Sequence, residues 1–320
     1  MPNQINPIRN HEGSERPSIS NGIKIFYSKD WQDYELLDTG EGEKLERFGT
    51  YSFVRPYEDA VWPKTLENKE WIKANGKFWS SKGGGKSGLA TLKQRESGWK
   101  MSKDINQRWE MQYKGIKFFA SPTPFRHLSF FPEQATHWDF IESTIKDSKR
   151  KIKFLNLFGY TGVASLFALR AGAEVTHLDA SKQSLGLAKE NEKLSRLEGM
   201  RIIEDDAIKF LEREAKRGNK YDAIIMDPPK FGRGPKGEVW KIEEMLPKLL
   251  SAVRKVLSDK PLFVILTSYA IDSSSLSLGY GLEETMKDFE GKVEAGELCV
   301  LEKSNGRTIP LANTAVWSTI

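Results

Sequence analysis

The stretch FLNLFGYTGVAS, residues 154–165, decides the fold. An apolar run ends at Phe158, Gly159 and Gly162 punctuate the next few residues, and a helical pattern opens at about Val163. The segment therefore reads strand, tight loop, helix. Glycines in such a loop let the backbone approach a ligand, and the helix N-terminus offers it unpaired N–H groups. Twenty residues after Gly159, at the tip of the next apolar run, Asp179 in THLDAS is placed to accept both hydroxyls of a ribose. Asp205 and Asp206 end a third run, where Asp206 and Ala207 can meet an adenine ring, and Asp227 ends a fourth. Ligands of open α/β sheets bind along such an edge of strand ends. The pattern asks for an adenosine-type cofactor. A dinucleotide fits less well, because Leu157 stands where G-x-G-x-x-G needs its first glycine, and this weakens an NAD-dependent oxidoreductase reading.

Outward from that loop, residues 151–320 alternate short apolar runs with helical patterns. IKFLNLFG, EVTHLDA, MRIIED, YDAIIMDPP and PLFVILTSYA read as buried parallel strands, separated by segments of helical period such as KQSLGLAKENEKL and AIKFLEREAKRG. GELCVLEKSNGRTIPLANTAVWSTI closes the chain as a hairpin around Asn305-Gly306. The expectation is an α/β fold with a doubly wound, mostly parallel, seven-stranded sheet. Before it, residues 23–120 are rich in tryptophan and turn residues and read as a small β-rich domain. Pro122 and Pro124 start a linker, and Pro132 opens a helix within residues 121–150. Residues 1–22 are polar and read as a disordered tail without the apolar core of a signal peptide.

Net charge is +5, and it is uneven. Residues 81–126 hold ten Lys/Arg against three Asp/Glu, interleaved with Trp99, Trp109, Tyr113, Phe118, Phe119 and Phe125. That mixture suits a nucleic-acid surface, and equally a small β domain with an aromatic core and solvated lysines. SSKGGGKSG, residues 80–88, imitates a phosphate loop but has Ser80 where the pattern needs glycine, so it reads as a flexible loop. A single cysteine, Cys299, excludes an internal disulfide and a cysteine-built metal site, and the four histidines have no ligand spacing. No 18-residue apolar run exists, and a cytoplasmic protein is expected.

LNLFGYTG, DAS followed by an EN helix, and DPPKF together resemble the class I S-adenosylmethionine-dependent methyltransferases. More closely, they are similar to the family that methylates bases of large-subunit ribosomal RNA. The resemblance covers roughly residues 125–320. It implies that Asn156, Gly159, Thr161 and Gly162 surround the methionine end of the cofactor, with Phe158 and Tyr160 in the same loop. Asp179, Ala180 and Ser181 fall to the ribose, and Asp206 and Ala207 to the adenine. Gln134 in FPEQ is implied beside the cofactor carboxylate, and Asp227 beside the methyl group.

MDPPKFGRGPKG then carries the chemistry. Methyl transfer is an in-line displacement needing alignment and a place for a proton. Asp227 can accept from an amine, and Pro228 and Pro229 stiffen the turn and leave carbonyls free to accept as well. Phe231 can stack on a flipped base, and Lys230, Arg233 and Lys236 can meet phosphates. The expected catalytic set is Asp227, Pro228, Lys230 and Phe231, acting on RNA. Amino-group methyltransferases place an aromatic directly after the two prolines, whereas Lys230 intervenes here. Relatives that methylate carbon 5 of cytosine carry a cysteine after the fifth strand, where this chain reads Leu266-Thr267-Ser268-Tyr269. Cys299 lies in an apolar strand and reads as core, which favours a ring nitrogen or exocyclic amine as acceptor. His127 and His137 read as structural. A protein or small-molecule acceptor stays open, and a non-catalytic RNA-binding protein is a more distant alternative.

Overall fold

The computed structural model describes residues 22–79, 98–269 and 274–320. The tail, the SSKGGGKSG loop and the run GLATLKQ fall outside these residues. The large sheet carries five parallel strands in the spatial order Arg201–Glu204, Glu174–Asp179, Lys153–Leu157, Ala223–Met226 and Phe263–Ser268. Thr308–Ser318 comes next, antiparallel to Phe263–Ser268, and pairs in turn with Lys292–Leu301 as the expected terminal hairpin. An eighth strand corrects the expected seven. Lys24–Phe26, expected in the β-rich domain, pairs in parallel with Gly296, Glu297 and Leu298 instead. Gly296 explains the docking, since any Cβ there would collide with the Lys24 backbone.

Parallel strands buried on both faces need continuous apolar runs, and Ala223–Met226 and Phe263–Ser268 are buried at every position. Helices Val163–Arg170, Lys182–Leu194, Ala207–Lys216 and Ile242–Val256 form the crossovers expected between them. Strand order reverses between Lys153–Leu157 and Ala223–Met226, the switch point at which a ligand crevice opens.

The N-terminal β module is a five-stranded sheet, Tyr34–Gly40 through Gly98–Met101, beside the hairpin Trp109–Tyr113 and Ile116–Ala120. It shares its core with the larger domain: Phe48, Phe53, Trp109, Tyr113 and Phe118 pack in one cluster with Trp138, Phe167 and Val300. Four of the six aromatics in the basic stretch are thereby accounted for, because Trp109, Tyr113 and Phe118 are buried and Trp99 packs on Phe53 and Phe78. Phe125 alone of the six is an exposed large hydrophobic. A buried ion cluster also sits in this module. Arg55 donates two hydrogen bonds of 2.6 Å to Glu46, Lys44 lies 3.3 Å from the same carboxylate, and Tyr34 donates to it at 2.9 Å. Burial alone would raise the Glu46 pKa, but Arg55 and Lys44 outweigh it and hold the group at about 2. Among the described residues no helix is long and apolar enough to cross a membrane.

Candidate active site at the strand ends

Gly159 begins the site. A Cβ at this position would collide with the His177 ring, so the loop can pass only as glycine. Its neighbours Phe158 and Tyr160 both adopt left-handed backbone, φ 57° and 51°, a strain that surrounding contacts must hold. They do so through a buried chain of hydrogen bonds. Asn156 Nδ2 donates to Ser165 Oγ at 3.0 Å, and Ser165 faces His177 Nδ1 at 3.0 Å. The other ring nitrogen, Nε2, lies 3.2 Å from the Tyr160 carbonyl. A carbonyl only accepts, so Nε2 carries the proton and Nδ1 accepts from Ser165. Burial pushes the His177 pKa down to about 4, which keeps the ring neutral and this tautomer in place. A second brace comes from Asn191, fully buried, which donates to the Thr161 carbonyl at 2.9 Å and accepts from Phe119 N–H at 2.9 Å. The EN helix and the β module thus fix the YTG loop together.

Asp179, half-buried at its strand end, accepts from the backbone of Tyr160 and of Ser181, each at 2.8 Å. Burial raises its pKa, opposed by those backbone donors. Asp206 caps the Ala207–Lys216 helix by accepting from Lys209 N–H at 2.9 Å. Both acids line one cavity of about 500 Å³ with Phe158, Tyr160, Ala180, Ser181, Ala207, Asp227, Pro228 and Lys230. A smaller adjoining cavity of about 70 Å³ is bounded by Gln134, Asn156, Gly159, Thr161 and Gly162, and it shares Phe158, Tyr160 and Asp227 with the first. The structure therefore brings together every residue that the resemblance implied for the cofactor.

Asp227 ends the Ala223–Met226 strand at the switch point, half-buried. Gln134 Nε2 approaches its carboxylate at 3.3 Å and the Tyr269 hydroxyl at 3.1 Å. The amide is fixed from behind, because its oxygen faces His137 Nδ1 at 2.9 Å and His137 Nε2 faces Thr314 Oγ1 at 3.2 Å. His137 is thereby a positioning residue, neutral because burial lowers its pKa to about 3. Burial raises the Asp227 pKa well above the ordinary aspartate value, and the charge of Glu133 raises it further against the pull of Gln134.

Two expectations at DPPKF change. The Pro229 carbonyl is not free, since Trp240 Nε1 donates to it at 2.5 Å. The residues that follow form a short hairpin of Phe231–Arg233 and Val239–Lys241 that packs Trp240 against Phe158, with ring centroids 4.9 Å apart. Phe231 points to solvent, 57% exposed, and neither it nor Lys236 lines the cavity, whereas Lys230 and Arg233 do. Cys299 is buried in the Lys292–Leu301 strand, where burial raises its thiol pKa to about 12, unfit for nucleophilic work. Sequence reasoning missed Trp240, His177, Tyr269 and Glu133. Tyr269 alone left a signal, as the first aromatic after the fifth strand.

A family model described as Conserved hypothetical protein 95 matches residues 136–265. The crystal structure of a SAM-dependent methyltransferase from Agrobacterium tumefaciens is 38% identical, covers 97% of this chain and 98% of its own, and superposes with a TM-score of 0.87. The chain belongs to the S-adenosylmethionine-dependent methyltransferases. Among curated proteins, the Ribosomal RNA large subunit methyltransferase I of Aeromonas salmonicida is 39% identical over 124 residues, 38% of this chain and 30% of that protein. Its Enterobacter counterpart is 32% identical over 120 residues, 37% of this chain and 29% of that protein. The chain thus spans about 30% of the length of these curated relatives. A Streptococcus mutans structure, 14% identical over 90% of this chain and 76% of its own with a TM-score of 0.66, shares the fold alone.

S-adenosylmethionine fits the residues present. Asp179 offers carboxylate lone pairs where the resemblance implies the ribose, and Phe158, Leu178, Ala207 and Trp240 give the same cavity apolar walls that suit an adenine.

Proposed function

We propose that this chain transfers a methyl group from S-adenosylmethionine to a nitrogen of an RNA base, with ribosomal RNA as the substrate class. The observation that carries the reading is Asp227: a half-buried carboxylate at the switch point, aimed by Gln134 and continuous with the cavity that Asp179 lines. When bound, S-adenosylmethionine supplies a methyl group on a cationic sulfur, activated already. Asp227 accepts an N–H of the acceptor and so turns the nitrogen lone pair toward that methyl group. Where the methylated nitrogen sheds a proton, the same carboxylate takes it, and its raised pKa makes it the better base. Lys230 and Arg233 at the cavity, with Lys236 and Phe231 on the hairpin outside it, meet the phosphate backbone and neighbouring bases. The Aeromonas and Enterobacter relatives, named as ribosomal RNA methyltransferases, support RNA, and such a substrate agrees with a cytoplasmic enzyme.

One observation favours a protein or small-molecule acceptor instead. In the basic stretch Arg108 pairs with Glu190, Lys114 with Asp30 and Asp139, and Arg126 with Glu58, so part of its charge is spent within the chain. Methyl-labelled S-adenosylmethionine, offered with total RNA and total protein of a strain lacking the gene, separates the readings. Label removed by nuclease supports RNA; label removed only by protease contradicts it. Any turnover excludes a purely binding role.

A further inference from the structure

Between the β module and the large sheet lies a further cavity, of about 340 Å³, whose walls do not include Asp227. It meets the cofactor-edge cavity at His127, Phe131 and Tyr269, which line both. Its walls hold polar side chains that are nearly buried: Glu133 is 5% exposed, Ser268 2% and Lys44 8%. The Ser268 hydroxyl has no hydrogen-bond partner among the described residues. Such a group loses its hydration on folding and gains nothing in return unless a ligand completes it. Glu133 is the second sign. Burial keeps its pKa raised against the pull of Lys44 and Arg55, so the ion cluster behind it does not fully compensate the carboxyl. Phe131 and Tyr269, with centroids 4.8 Å apart and planes 37° from parallel, form an aromatic wall where the two cavities meet. Tyr269 bridges them chemically as well, taking a hydrogen bond from Gln134, which also reaches Asp227.

We infer that this cavity holds the acceptor nucleobase, with Glu133 accepting from a ring or exocyclic N–H, Ser268 Oγ completing the polar edge, and Phe131 and Tyr269 stacking on the ring. The wall suits a planar heteroaromatic, since base–aromatic stacking tolerates any base while the acid and hydroxyl select the edge. Arg126, half-exposed at the rim and 3.5 Å from Glu58, exchanges that partner for the phosphate next to the extruded base. The inference rests on the RNA reading and deepens it: Glu133 and Ser268 make the enzyme choose its base, and Asp227 makes it react.

The test measures methyl transfer to RNA, S-adenosylhomocysteine affinity and thermal unfolding for the wild type, Ser268→Ala and Glu133→Gln. Ser268→Ala removes a hydroxyl that bonds nothing among the described residues, so folding and cofactor affinity stay at wild-type values. KM for RNA then rises roughly three- to tenfold with kcat held, the worth of one hydrogen bond. Glu133→Gln raises KM further, by about tenfold or more, as expected for a charged acceptor. RNA methylation with wild-type KM in both variants overturns the pocket and leaves the RNA reading standing. Label found in protein alone removes the RNA reading and the assigned base with it.

Discussion

The strand-end crevice and the cavity beneath the β module adjoin at Phe131 and Tyr269, yet they are built in opposite ways. The crevice has apolar walls, and two of its acids are set by backbone, Asp179 by two N–H donors and Asp206 as a helix cap, while Asp227 takes a hydrogen bond from the Gln134 side chain. The second cavity is ringed by charged and polar side chains whose positions depend on one another, Glu46 holding Arg55 and Lys44 in place behind Glu133. A site fixed by backbone keeps its shape when one side chain is replaced, and a site fixed by mutual charges does not. Replacing Asp179 or Asp206 should therefore change chemistry cleanly, whereas replacing Glu46 should disturb Arg55, Lys44 and Glu133 together.

The sharpest contrast is expected at Asp227. Asp227→Asn keeps the shape and the contact with Gln134 but cannot take a proton, so kcat falls by roughly 10² or more while cofactor affinity stays within a few-fold. The pH dependence comes from the sign of the shift. Burial raises the Asp227 pKa, so the ionised, active form appears only at pH values above the ordinary aspartate range, and the acid limb of the kcat profile lies there. Stability runs the other way. A raised folded pKa gives stability that is present at low pH and lost as pH climbs through it, so the uncharged variant unfolds at pH 7 no earlier than the wild type. A wild-type rate with no acid limb above the ordinary aspartate range, with Asp227→Asn active, would remove Asp227 from the mechanism.

Next in size, Asp179→Ala should weaken S-adenosylhomocysteine binding by roughly 10- to 100-fold, the range for hydrogen bonds to a charged group. Isothermal titration checks it, and unchanged affinity would place the ribose elsewhere. Asn191→Ala leaves the buried Thr161 carbonyl without a partner and takes one from the half-buried Phe119 N–H, at about 1–3 kcal/mol of stability in denaturant unfolding. It also tests whether the β module and the cofactor loop unfold together. Cys299→Ala should be the quietest change, with kcat/KM within about twofold of wild type, since one buried small residue replaces another. Loss of turnover there would restore a thiol mechanism.

The same contrast explains what could be read from the sequence. The segment 154–165, the Lys182–Leu194 helix and the acids at positions 179, 206 and 227 were legible because strand, glycine and acid lie within a few residues of each other. The Phe231–Arg233 and Val239–Lys241 hairpin was not, since three-residue strands show no alternation and its glycines and lysines read as loop. The Ser275–Met286 helix carries Gly279 and Gly281, which dilute its helical pattern. Lys24–Phe26 joined the far edge of the large sheet because Gly296, some 270 residues away, leaves room for it. Glu133 and Ser268 belong to one cavity only through the packing of two modules, and no local spacing records that.

Mass analysis of nucleosides from RNA methylated by the purified enzyme shows which atom accepts the methyl group. A methyl group on a ring nitrogen or an exocyclic amine is the predicted result, made by Asp227 without a covalent intermediate. A methyl group on carbon 5 of cytosine would contradict it, because that reaction needs a nucleophile and the chain's one thiol is buried in the Lys292–Leu301 strand.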